Sequence, residues 1–236
     1  MLTLLLVAAA PVTIASKSGY VDFRYRWSAE AAAVPALDRR FRTDAARQLR
    51  DLRRDVLLDR AARRKMNSLL ADMRYSFERD WKTAGQTPRL LSLSASTYTF
   101  TGGAHGNSYT RAVLWDRRLA RAVELDSLLQ RSGWWDGAIR QPFCALLDRE
   151  RAKRRQEPVN KSDMFGDCPP LKDVSLTLAD TNRNGRLDHV LVTADPYVAG
   201  AYAEGSYEVS LPLTAAMLAR LKPEYRASFE PQPPVQ

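Results

Sequence analysis

Tyr20–Trp27, YVDFRYRW, alternates without a break. Val21, Phe23, Tyr25 and Trp27 fall on one face, while Tyr20, Asp22, Arg24 and Arg26 fall on the other. That is the period of a strand with one buried, aromatic face. From Val34 the period changes. Leu37, Phe41, Ala45, Gln48, Leu52 and Val56 recur every three or four residues and predict a helix to about Arg64. Leu69, Leu70, Met73, Phe77 and Trp81 continue that spacing after a break near Asn67 and Ser68, so the helical reading extends to Trp81.

Ala84–Pro88 reads as a loop, followed by strands at Leu90–Phe100 and Tyr109–Trp115 joined by the turn TGGAHGN. Asp126 can cap a short turn over Ser127–Gln130. A second long helix is expected over about Trp135–Arg155, and a Pro- and Gly-containing loop over Gln156–Pro170. Strands follow at Val174–Leu178, His189–Thr193 and Ser206–Leu213, then a helix from Thr214 and a tail expected to fray. Strands in sequence-adjacent pairs with segregated helices argue an α+β fold, an antiparallel sheet with long helices packed on one side. No internal repeat is present.

The 236 residues are 45% hydrophobic and 27% charged, which excludes disordered, collagen-like and coiled-coil classes. The net charge is +9. Such a balance favours acidic partners: nucleic acid, anionic lipid heads or acidic wall polymers. The positive charge concentrates in two helical stretches, Arg39–Lys65 and Arg149–Arg155. No nucleic-acid reading motif accompanies them, so nucleic acid is disfavoured, and acidic envelope polymers or a membrane surface fit better.

Met1–Ala15, MLTLLLVAAAPVTIA, has the length of a secretory apolar region and is too short to span a bilayer. It is read as a signal peptide cut near Ala15, although no basic residue precedes it. The expected organisation is therefore a leader at 1–15 and one module at 16–236. The module has a first half at about 16–88, a second half at 89–229 and a tail at 230–236. The only cysteines, Cys144 and Cys168, suit one disulfide in an oxidising compartment. The cysteine pair alone cannot be a zinc site, since four ligands are needed and the chain has only two histidines. The expected location is the periplasm of a Gram-negative envelope, or secretion.

Two loops could carry chemistry. In Thr101–Asn107, TGGAHGN, three glycines allow close backbone approach to a ligand. His105 is the catalytic candidate there, as a general base, but no nucleophile motif accompanies it. In Asp180–Asp188, DTNRNGRLD, the residues Asp180, Asn182, Asn184 and Asp188 fall at positions 1, 3, 5 and 9 of a calcium loop, with Gly185 at 6. Position 12 is Leu191, so the bidentate carboxylate is missing. Asn-Gly between two apolar runs is also a hairpin signal. Calcium is the one cofactor that the sequence suggests; otherwise none is expected.

Thr101–Gly106 with the strand Tyr109–Trp115, Glu124–Leu129, and the later run DPYVAGAYAEGSYEVSLPL around Pro196, Tyr197, Tyr202, Ala203, Glu204 and Gly205 together resemble one family. It is the paired exported domain of unknown function (DUF4163/DUF3298 type). That pair is found in lysozyme-binding anti-sigma factors of the RsiV type and ahead of a peptidoglycan deacetylase catalytic domain. The resemblance covers most of Tyr20–Phe229. It implies an α+β envelope domain that binds rather than catalyses, with peptidoglycan glycan or a lysozyme-like muramidase as the ligand. The expected ligand-binding residues are Gly102, Gly103, His105, Asn107, Tyr197, Tyr202 and Glu204. Animal-type lysozyme is itself strongly basic, so like net charges oppose long-range attraction to this +9 chain. Two alternatives stand beside binding: a hydrolase acting on wall material through His105, and a calcium-stabilised structural module.

Overall fold

The structure, a computed structural model, describes residues 9–234. β1 (Val12–Lys17) pairs antiparallel with β2 (Val21–Trp27), from Val12 opposite Trp27 to Lys17 opposite Asp22. The aromatic face of β2 is buried as its alternation requires. Ser28 caps the short helix α1 (Ala29–Ala32) by accepting from the Ala31 amide. The long helix α2 (Pro35–Lys65) begins with proline at its first position and buries Leu37, Phe41, Ala45, Leu52 and Val56.

The chain after α2 departs from the sequence reading. Met73–Trp81 is not helical: β3 spans Tyr75–Gln86 and pairs parallel with β2, from Val21 opposite Tyr75 to Trp27 opposite Trp81. Tyr75, Phe77, Arg79 and Trp81 alternate inward. The alternation is disguised because one of its buried positions is an arginine. The parallel pair follows from the long helix between the two strands, which serves as their crossover. The antiparallel reading therefore holds for most pairs, with β2–β3 as an exception.

β4 (Leu90–Phe100), β5 (Asn107–Asp116) and β6 (Arg121–Val123) complete a sheet ordered β1-β2-β3-β4-β5-β6. The loop expected at Ala84–Pro88 is shorter, because β3 runs to Gln86. Thr87 closes the turn into β4: its amide donates to the Leu90 carbonyl and its hydroxyl accepts from the Leu90 amide, both at 2.8 Å.

The described residues form two compact units, one of residues up to 82 with 95–108, the other of 83–94 with those from 109 on. A division near residue 88 does not describe them, since 83–94 goes with the later chain. In the first unit Phe23 stacks on Phe77 and Phe41 on Trp81, with ring centroids 5.4 and 4.9 Å apart. A buried polar network runs through these rings. Asp44 accepts from the Tyr25 hydroxyl at 2.8 Å and from Arg79 at 2.7 Å, and Arg79 also donates to Thr97 Oγ1 at 2.9 Å. Burial pushes the Asp44 carboxyl up, but the Tyr25 hydroxyl, Arg47 and Arg79 outweigh it and hold the group below its ordinary value.

The second unit is built on an antiparallel sheet of β7 (Ser175–Ala179), β8 (His189–Ala194) and β9 (Tyr207–Pro212). Helix α3 (Trp134–Arg155) packs on it, burying Ile139, Phe143 and Leu147 in one cluster with Val190, Val192, Val209 and Leu211. Thr214 caps α4 (Ala215–Leu218), and α5 (Pro223–Arg226) brings Tyr225 into the same cluster. A Cys144–Cys168 disulfide ties the segment after α3 back to the helix. The tail does not fray at its start. The Glu230 amide donates to the Leu187 carbonyl at 3.0 Å and the Gln232 amide to the Leu213 carbonyl at 2.8 Å.

Residues 1–8 of the expected leader lie outside the described residues. Residues 12–15 form most of β1, so a cut near Ala15 would fall inside a paired strand. Among the described residues no helix is long and apolar enough to cross a membrane.

Candidate functional site

In the first unit, Gly102 and Gly103 take φ of +94° and +107°, which only glycine adopts cheaply. A Cβ on Gly102 would sit 2.7 Å from the Arg63 guanidinium, so the chain there lies directly on the end of α2. Gly106 is buried under the Tyr98 ring, where a Cβ would approach to 2.4 Å. His105 and Asn107 are exposed, and His105 Nδ1 lies 2.9 Å from the Gly106 carbonyl. The loop thus holds His105 through its own backbone.

The second unit holds Tyr197, Tyr202 and Glu204 in the segment between β8 and β9, and a frame of buried and charged groups fixes it. Asp195 opens the segment by accepting from the Thr110 amide and hydroxyl, both at 2.8 Å. The Tyr197 amide donates to the Gly200 carbonyl at 3.0 Å, closing a turn in which Tyr197 takes φ of +69°. A tyrosine in that left-handed region is strained, and such strain persists only where the surroundings impose it. Its side chain is 54% exposed, and its ring centroid lies 5.8 Å from that of Tyr202.

Glu204 is the keystone. Its carboxylate accepts from Arg155 at 2.9 and 3.2 Å, from the Ala201 amide at 2.9 Å, and from the Tyr207 hydroxyl. Burial pushes the carboxyl up, but Arg155, Tyr207 and the Ala201 amide outweigh it, and its pKa falls to about 2. A Cβ on Gly200 would lie 2.8–2.9 Å from the Glu204 carboxylate and the Tyr207 ring, so the turn closes only with glycine there.

The end of α3 completes the frame. Arg151, fully buried, donates to the carbonyls of Ala199 at 2.8 Å and Asp167 at 3.0 Å. Arg154 donates to the carbonyls of Glu204 and Ser206 and lies over the Tyr207 ring at 4.0 Å. Of the three, Arg151 and Arg155 turn inward onto the loop, while Arg154 remains exposed and holds the loop carbonyls from the surface. Glu204 likewise serves the loop's structure and does not offer a free carboxylate. The spacing i, i+3, i+4 put the three arginines on one helix face, and that was the signal available in the sequence.

The Asp180–Asp188 segment folds as a hydrogen-bonded turn. Asp180 accepts from the amides of Asn184 at 3.1 Å and Gly185 at 2.8 Å, and Asn182 Oδ1 also accepts from the Asn184 amide. Asp188, 1% exposed, accepts from the Thr181 amide and hydroxyl at 2.9 and 2.8 Å. Asn182 and Asn184 donate to Glu230, at 3.0 and 2.6 Å, a partner that no spacing rule could have named. Among the described residues no group of three or more His, Cys, Asp and Glu could hold a metal ion.

Residues 14–108 match the family model described as Deacetylase PdaC. A search of curated proteins finds no match. Two solved structures share the fold. A DUF3298 family member from Bacteroides fragilis is 15% identical, with a TM-score of 0.59 over 94% of this chain and 98% of that one. A DUF3298 family protein from Pseudomonas aeruginosa is 18% identical, with a TM-score of 0.54 over 95% and 98%. The chain therefore has the α+β fold of DUF3298 proteins, a domain of unknown function, with a segment that matches the PdaC model at residues 14–108.

Proposed function

We propose that this protein is a non-enzymatic envelope domain that binds a wall-associated ligand through Tyr197 and Tyr202. The reading rests on one observation: two neighbouring tyrosines, one strained and largely exposed, on a loop fixed by Arg151, Arg154, Arg155 and Glu204. Tyrosine pairs present apolar faces with polar tips, the chemistry that sugar rings stack on. A rigid frame lowers the ordering cost of binding. The disulfide and the apolar leader support an oxidising, exported setting. The resemblance of the sequence motifs to exported domains that accompany wall chemistry supports wall material as the ligand class, and peptidoglycan glycan is preferred to a basic muramidase on charge.

The test is co-sedimentation with purified peptidoglycan sacculi in low and high salt, with a lysozyme pull-down in parallel. Retention should survive high salt and fall at least about tenfold in a Tyr197→Ala, Tyr202→Ala double variant. Retention only in low salt would mean that the net charge alone was being read. No retention on sacculi would overturn glycan recognition, whatever the lysozyme arm gives.

A further inference from the structure

Helix α2 carries a second apolar stripe on the side away from its buried one. Leu57, Leu58, Ala61 and Ala62 lie on it, flanked by Arg54 and Lys65 and followed by Met66 at the C-cap, and all are exposed. Leu57 is 59% exposed, Leu58 64% and Met66 71%. The following turn adds Leu70 and a fully protruding Leu69 at 102%. Five of the nine large apolar side chains exposed among the described residues thus fall between Leu57 and Leu70. Single exposed leucines need no explanation, but a contiguous cluster marks an interaction surface.

The charges around the stripe select its partner. Arg50, Arg53, Arg54, Arg64 and Lys65 are exposed beside the apolar residues. Asp51, Asp55 and Asp72 answer some of them, through exposed pairs that water and salt weaken. A second copy laid on this stripe would bring arginine onto arginine in a chain already at +9. An anionic bilayer offers what the surface lacks: an apolar layer just beneath a sheet of negative headgroups.

We propose that the end of α2 and the turn after it dock on anionic lipid. Leu57, Leu58, Met66 and Leu69 would enter the headgroup boundary, and Arg64 and Lys65 would lie among the phosphates. The sequence pointed to basic helices without separating them. Of the two basic stretches, this is the one with apolar residues among its exposed cations, whereas three arginines of Arg149–Arg155 are committed to the Glu204 loop.

The experiment is flotation of the full chain with two kinds of vesicle, phosphatidylcholine alone and phosphatidylcholine with phosphatidylglycerol in equal parts. A Leu57→Ser, Leu58→Ser, Leu69→Ser variant and an Arg64→Gln, Lys65→Gln variant are compared with the parent chain, with sedimentation velocity without lipid alongside. All five positions are exposed, so both variants should melt with the parent. Flotation should need phosphatidylglycerol and fall about tenfold or more in the leucine variant. The Arg64, Lys65 variant should lose most of its binding in low salt. No flotation of the parent chain would overturn the proposal. So would flotation unchanged in the leucine variant, which would mean a charge effect or another segment. A parent dimer that the leucine variant dissociates would reassign the surface to self-association.

Discussion

Glu204 and Tyr197 show two ways in which one side chain can govern the same loop. Glu204 collects Arg155, Tyr207 and the Ala201 amide, and removing its charge strands those donors. Glu204→Gln should therefore destabilise the fold by about 2 kcal/mol, read by urea unfolding, with no change in the slope of the transition. Tyr197 holds a left-handed backbone at φ +69°. Glycine there would relieve strain of about 1 kcal/mol while adding a similar entropic cost. Tyr197→Gly should thus melt within about 0.5 kcal/mol of the parent while its retention on sacculi drops. At this scale the sequence named Tyr197, Tyr202 and Glu204 but not the arginines that hold Glu204, which lie about fifty positions away. Gly102 and Gly103 were legible as positive-φ residues because glycine clusters advertise that need. Glu230 carried no such sign.

Most elements were legible where one period dominated. β2 and α2 follow their apolar spacing nearly residue for residue, and β4 has the bounds expected for it. Met73–Trp81 failed because its apolar positions fit both periods, and the buried Arg79 hid the alternation. The parallel β2–β3 pair was equally hidden, since strand direction depends on the crossover and not on composition. Two predictions belong to elements. β1 supplies six register pairs to β2, and a cut after Ala15 would remove four of them. If the leader is cleaved, the mature chain should begin before Val12; intact-mass measurement of exported protein decides, and a start at Ser16 would contradict the strand. The Cys144–Cys168 bridge closes a segment of 24 residues. Loop-closure entropy makes its removal cost about 3 kcal/mol, so a Cys144→Ala, Cys168→Ala variant should unfold at correspondingly lower urea under oxidising conditions.

For the molecule as a whole, pH dependence gathers these residues into one observable. Asp44, Asp116, Asp188 and Glu204 all have carboxyl groups held below their ordinary values by hydrogen bonds and cations. Each contributes stability that is complete above its unfolded value and lost as pH falls through the folded one. For Glu204 that window runs from 4.5 down to about 2. Tyr25, Tyr207 and Tyr225 are raised, chiefly by burial, so their contribution is lost only as pH climbs above 10.0. The melting temperature should be level across neutral pH and fall steeply below about pH 4, with Glu204→Gln flattening the lower part of that fall.

The order in which the chain visits its two units has a genetic consequence. It enters the first, leaves it for residues 83–94, returns for 95–108 and only then completes the second. No single cut in the gene separates the two. A fragment ending at residue 108, as the PdaC match does, carries a hairpin whose Leu90 belongs to the other unit's core. Such a fragment would expose that leucine when expressed alone. Recombination within this architecture is therefore expected to exchange the pair together, as one cassette.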